Sequence, residues 1–426
     1  MTAAPKKTAL FHYSFLALPL SFAGLPLYVH APDFYTRDLG LNIGLIGIIL
    51  LVIRLFDAFQ DPLIGYISDK HASKRFHIVF AGGAMLMAGM AAVFYGPQFA
   101  ISTAIWFAAS MILATTGFSI IAINLNMIGG FWHDEPQQRT RIAAWREAFA
   151  LIGLLVASVL PAALQTTRPA DESFQILFLV FAIVMIIGFL LFAKFSKAIG
   201  SNHKIKKSQT KRGFSFLPIL IGPDRNFFGV CFLTHVAAAM PGVMVLFYIR
   251  DYLQAENLAG LFLLLYFLSG AALIVVWVKL AKRIGKENAW LISMFVAIAT
   301  FIWAFFLQPG DVIAYGFICV LSGMALGADL ALPPSILADR VTKQKTEAEA
   351  TQYYALLAFI PKVALAIASG MTFLLLDQMG FVAGIENSPE SLQGLVTLYA
   401  LVPCLIKLSA AVYLWRYSKK ESLVHA

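Results

Sequence analysis

Apolar residues fill this chain in long runs, too uninterrupted for the period-two alternation of a barrel strand. Stretches of roughly twenty such residues, enough to cross a ~30 Å hydrocarbon layer at 1.5 Å per residue, recur twelve times. They cover approximately 10–30, 42–67, 76–95, 100–130, 141–164, 173–194, 225–249, 258–281, 288–307, 311–337, 350–376 and 391–416. A segment in lipid must satisfy its own backbone hydrogen bonds, so each run is predicted to be a transmembrane helix. The fold class is therefore all-α and polytopic.

Composition agrees. The 426 residues are 60% hydrophobic and only 13% charged, where soluble domains carry about a quarter charged residues. The placement of lysine and arginine sets an expected orientation. With both termini cytoplasmic, the inner loops collect most of them, including Lys6, Lys7, Lys70, Lys74, Arg75, the cluster from Lys194 to Arg212, Lys282, Arg283 and Arg340. The outer loops receive Arg37, Arg168 and Arg250. That is the positive-inside pattern of a multi-pass protein of the cell (inner) membrane. The net charge of +9 thus reports topology, and no nucleic-acid partner is expected. Cys231, Cys319 and Cys404 sit singly in predicted helices without metal-ligand spacing. The first run follows two lysines, lacks a small-residue cleavage site and is interrupted by Pro19 and Pro26, so it is expected to be retained.

A basic stretch divides the helices into two sets of six. The expected domains are 1–194, a cytoplasmic linker 195–224, and 225–426. Within the linker, "KIKKSQTKRG" reads as a solvated segment or as a contact with anionic lipid. A faint internal echo links "GYISDKHASKRF" after the second run with "VKLAKRIGKENAW" after the eighth.

Charges inside the second run carry the chemistry. In "RLFDAFQDPLIGYISDK", counting back from Asp69 puts Asp61 roughly 12 Å deep and Asp57 roughly 18 Å deep. Arg54, Asp57 and Asp61 share one helix face, and Arg54 is placed to pair with Asp57, which leaves one negative charge. Pro62 frees the carbonyl of Ala58, and Gln60 adds an amide oxygen. Surplus negative charge with spare oxygens suits a proton or a monovalent cation. The alternative is an ion-pair network that only fixes helix packing, but intramembrane carboxylates usually mark ion or substrate paths.

Gly65, Asp69, Lys74 and Arg75 match the loop between the second and third helices of the major facilitator superfamily, and two six-helix halves are that superfamily's plan. A narrower resemblance is carried by "FYTRDLGLNIGLIGIILLVIRLFDAFQDPLIGY", "RTRIAAWREAF", "AKRIGK", "LPPSILADR" and "ATQYYALLAFIPKVALA". In order, these resemble the glycoside–pentoside–hexuronide:cation symporters, the melibiose permease-like family. The resemblance implies a major facilitator fold in which Asp57 and Asp61 hold the coupling cation, H+ or Na+. It also implies that Arg146 reaches the sugar-side cavity and that Lys362 approaches the cation site. Two departures stand out. Ser21 replaces an aspartate of the family's sugar carriers, and the fourth helix, "TTGFSIIAINLNMIGGFW", has no carboxylate, offering Ser119, Asn124 and Asn126 instead. A galactoside is thus a poor expectation, and an acidic solute a better one.

The remaining intramembrane polar residues leave alternatives open. Asp329 lies roughly 12–15 Å from the inner end of its helix and is placed either to contact substrate or to pair with Lys362 on the next helix. Glu147 sits about 100° round the helix from Arg146 and is expected to meet a cytoplasmic-side partner rather than substrate. His235 reads as a proton relay or a hydrogen-bonded packing residue, and Lys407 as snorkelling or paired. Gly24, Gly82, Gly83, Gly89, Gly153 and Gly270 are expected to allow close helix approach.

The function expected is secondary active transport of a small solute, sugar-like or an organic anion, by cation symport. No cofactor beyond the coupling ion is expected, membrane lipid is the surrounding partner, and the protein is expected to be a monomer. A lysolipid carrier of the same fold is the alternative within transport, and a non-transporting sensor or scaffold the alternative outside it. An enzyme is the weakest reading, resting on His133 beside Asp134. ATP-driven transport is disfavoured because no phosphate-binding glycine loop is present.

Overall fold

A proline removes a backbone donor from its helix, so each one inside an apolar run is a place where the helix can change its winding. In the computed structural model, which describes residues 5–97, 101–133, 135–199, 219, 221–222, 224–343 and 350–424, the helices otherwise run on for the length of each run. Among the described residues twelve spans are long and apolar enough to cross a membrane. They are α1 (Lys7–Arg37), α2 (Ile43–Lys70), α3 (Arg75–Tyr95), α4 (Thr103–Gly130), α5 (Arg141–Gln165), α6 (Ala170–Ala198), α7 (Arg225–Tyr252), α8 (Glu256–Ile284), α9 (Lys286–Phe305), α10 (Val312–Val341), α11 (Gln352–Gln378) and α12 (Pro389–Arg416). No strand occurs among the described residues. Wider π turns interrupt α1 at Pro26–His30, α7 at Tyr248–Tyr252 and α12 at Thr397–Leu401. Pro62, by contrast, lies within a continuous α2.

Lipid tails are as apolar as leucine, so close backbone approach and interhelical hydrogen bonds hold such helices together. In the first unit, defined by its own contacts as residues 1–41 and 55–211, α1 packs on α5 and α3 on α4. Gly153 sets the first contact: a Cβ there would lie 2.1 Å from the carbonyl oxygen of Leu18. The Tyr13 hydroxyl donates to the Leu125 carbonyl at 2.6 Å, tying α1 to α4. Trp106 Nε1 donates to the Ala92 carbonyl at 2.7 Å, tying α4 to α3. Gly24 departs from expectation, for a Cβ there meets nothing within 4 Å.

The second unit comprises residues 42–54 and 212–426. The start of α2 thus groups with the C-terminal helices instead of with residues 1–194. Small residues explain it: Gly44 and Gly47 bring α2 against Asp377 and Phe373 of α11, and Asn42 Nδ2 donates to Asp377 Oδ1 at 2.6 Å. Within this unit α8 packs on α10, α9 on α10, and α7 on both α11 and α12. Phe227, Phe228, Trp277, Trp290 and Tyr353 fill its core. Where α7 and α9 begin and α10 ends, Arg340 bonds Glu287 at 2.6 Å and Asp224 at 3.4 Å. Most of the expected linker, and with it the "KIKKSQTKRG" stretch, lies outside the described residues.

Candidate functional site

The helical period puts Asp57 and Gln60 three residues apart on one side of α2, and that side is turned into the first unit. Asp57 is 2% exposed, Gln60 is buried and Asp61 half-buried. Gln60 Nε2 donates to Asp57 Oδ1 at 2.9 Å, while Thr116 of α4 donates to Gln60 Oε1 at 3.1 Å. The amide oxygen expected to be a spare ion ligand is therefore engaged, and Gln60 serves to orient Asp57. Thr116 escaped the sequence reading because a lone threonine in an apolar run has no periodic signal. Arg54, one turn before Asp57, is buried. At the far end of α2, Asp69 accepts from Arg75 Nη2 at 2.5 Å, which anchors the α2–α3 turn.

Asn124 is placed differently from expectation. It is 0% exposed, and its Nδ2 donates to Ser68 Oγ at 3.0 Å and to its own helix at Ile120 at 2.8 Å. It joins α4 to α2 as a packing amide, away from any accessible surface. Ser21 is half-buried on α1, one helical turn before the open space at Gly24.

Arg146, early in α5, is a partly exposed guanidinium with a defined frame. Its Nη1 donates to Asn126 Oδ1 of α4. Its Nε and Nη2 both donate to Glu147 Oε1, Nε at 3.2 Å. Glu147, expected to meet a cytoplasmic-side partner, is thus held by its neighbour Arg146. Adjacent residues on a helix do not face each other, but two long side chains bend back across the 100° between them. His133, next along the chain from α4, accepts the Glu135 backbone N–H at its Nδ1, which is a local turn contact; Asp134, its suggested catalytic mate, lies outside the described residues.

In the second unit Asp329 is bonded to Lys407 of α12 and accepts from Trp290 Nε1 of α9 at 2.8 Å. It does not pair with Lys362, the partner proposed from helix adjacency. The geometric reason is that Asp329 leaves α10 on the side packed against α9, whereas Lys362 is carried by α11. Lys407, left open by the sequence, is buried and paired. Its charge in an apolar run was the signal; its partner, 78 residues away, was not legible. His235 donates Nδ1–H to the Cys231 carbonyl one turn back at 2.7 Å, the packing alternative. Lys362 is half-buried on α11. Among the described residues no group of three or more His, Cys, Asp or Glu side chains is arranged to hold a metal ion.

Comparison with known proteins places this arrangement. The profile of the family described as MFS/sugar transport protein matches residues 10–421. The chain is 26% identical over 397 residues to a putative sulfoquinovose importer of Escherichia coli (strain K12), covering 89% of this chain and 83% of the importer. It is 22% identical to a glucuronide carrier protein homolog of the same organism, covering 90% of this chain and 86% of the carrier. Against an isoprimeverose transporter of Lactiplantibacillus pentosus it is 24% identical, covering 92% and 85%. A solved bacterial homolog of the human lysosomal transporter Spinster superposes with a TM-score of 0.73 at 15% identity, covering 97% of this chain and 98% of that one. Twelve apolar helices, the matched fold and a family match across nearly the whole length converge on one conclusion: the chain belongs to the MFS/sugar transport protein family, and it is a multi-pass membrane transporter of small molecules.

Proposed function

We propose that this transporter is a symporter that couples a monovalent cation, H+ or Na+, to the movement of an acidic sugar-type solute by alternating access. The observation that carries the coupling is Asp57, almost wholly buried in the middle of α2 and braced by Gln60, with Asp61 one turn further on. Carboxylates at such a depth are costly and are kept where a cation can balance them. Removing one of the two takes away the charge that the ion neutralises.

The solute reading rests on Arg146. A guanidinium presents a planar fork that matches a carboxylate or sulfonate better than a hydroxyl, and the acids expected of neutral-sugar carriers are absent at Ser21 and along α4. Two of the three relatives above are named for acidic sugars, sulfoquinovose and a glucuronide, and one for a neutral disaccharide. The working unit is a monomer in the cell (inner) membrane, both termini cytoplasmic, with no bound cofactor besides the ion.

The test is uptake into proteoliposomes under imposed proton or sodium gradients, with acidic and neutral sugars offered in parallel. Asp57→Asn and Asp61→Asn are each expected to abolish gradient-driven accumulation while gradient-free exchange survives. Accumulation at the wild-type level in both variants would remove the aspartates from coupling.

A further inference from the structure

Arg146 is already engaged by a carboxylate of its own helix, and the manner of that engagement tells how solute would bind. Asn126 holds the Nη1 side of the guanidinium. The Nε and Nη2 side, the edge that grips a two-oxygen anion in parallel, is filled by Glu147. Glu147 fills it poorly: both nitrogens share the single oxygen Oε1, where a fork-to-fork contact would use two. The pair joins neighbouring residues that the helix turns apart. It is also open, with Arg146 22% and Glu147 65% exposed, among the exposed small residues Ala143, Ala144 and Ala148. An exposed pair of this kind is weak and readily exchanged.

We infer that Glu147 is an internal stand-in for the solute's anionic group: it occupies the receiving edge of Arg146, and an incoming carboxylate or sulfonate displaces it. Displacement exchanges a one-oxygen contact for a two-oxygen one. A neutral sugar cannot make that exchange, because a hydroxyl neither forks nor carries the charge that Glu147 would leave unbalanced. Glu147 is then a specificity residue, setting a threshold that only anions of the right shape cross. The inference rests on the acidic-solute reading above.

The test uses the purified full-length protein and equilibrium binding of an aryl β-D-glucuronide, a methyl sulfoquinovoside and the matching neutral aryl β-D-glucoside. Glu147→Gln is expected to bind both acidic probes about two- to fivefold more tightly, the range set by the small worth of an exposed ion pair. Affinity for the glucoside should stay at its wild-type value. In an Arg146→Gln background the gain should vanish, because a contribution made through Arg146 cannot survive its removal, whereas a general effect of one less negative charge would. Unfolding temperatures of the unliganded variants check the fold, and Glu147→Ala repeats the comparison. Unchanged or weaker binding of the acidic probes, an equal gain for the glucoside, or a gain that persists without Arg146 would each overturn the inference. If wild-type protein prefers the acidic probes and Glu147→Gln shows no gain, the stand-in role alone fails. If wild-type protein prefers the glucoside and Arg146→Gln changes nothing, the acidic-solute reading fails and takes the inference with it.

Discussion

Neutralising one end of the Asp329–Lys407 pair should damage the second unit far more than neutralising both. The side chains are only 15% and 8% exposed, so water does little to stabilise whichever charge is left behind. Lys407→Met leaves a carboxylate with the Trp290 N–H as its remaining donor, at 2.8 Å. Breaking a buried pair in this way costs about 3–5 kcal/mol. With one donor retained, about 2–4 kcal/mol is the expected loss. Asp329→Asn keeps an acceptor for Trp290 and strands the ammonium, for a loss of similar size. The double variant Asp329→Asn with Lys407→Met strands nothing and should lie within about 1 kcal/mol of wild type, since replacing a whole buried pair is often neutral. Denaturant titration in mixed micelles, read as a double-mutant cycle, measures the coupling directly. Single variants losing less than about 1 kcal/mol each, or a double variant as unstable as the singles, would refute the claim that the two charges are held for each other.

Thr116→Val removes the hydroxyl that donates to Gln60 at 3.1 Å, leaving a buried amide oxygen unsatisfied at about 1–3 kcal/mol. The cation concentration for half-maximal uptake should rise several-fold, with Thr116→Ser near wild type; an unchanged cation dependence in the valine variant would dissociate Gln60 from coupling. Gly153→Leu should prevent α1 from seating on α5, because the obstacle, 2.1 Å from the new Cβ, is the backbone oxygen of Leu18 and cannot swing aside. The check is loss of the folded, monodisperse species in detergent, where overpacking of this kind costs roughly 1–3 kcal/mol or more. A reporter fused at Ser208, outside the described residues, should be active only in the cytoplasm, and activity on the other side would reverse the orientation drawn from the lysines and arginines.

The number, length and order of the helices were legible in the sequence, because hydrocarbon imposes its thickness on every spanning segment: the twelve apolar runs and the twelve observed spans differ only at their ends. Asp57 and Asp61 were legible for a related reason, since a carboxylate in an apolar run is costly wherever it lands. Arg146 needed a resemblance to be singled out, and its contact with Glu147 was not foreseen. Helical periodicity reports which way a side chain leaves the backbone and not where a long, flexible one ends, so the bond between Glu147 and Arg146 was not legible. Pairings between helices were the least legible. Lys407 rather than Lys362 holds Asp329, Thr116 engages Gln60, and Asn124 is walled in beside Ser68. Each of these depends on the rotation of two helices about their own axes, and in lipid that rotation is set by glycine contacts and mutual hydrogen bonds more than by a hydrophobic stripe. The sequence on its own therefore determined the membrane-spanning architecture and the presence of buried charge. Which charges answer one another was decided only when the helices packed.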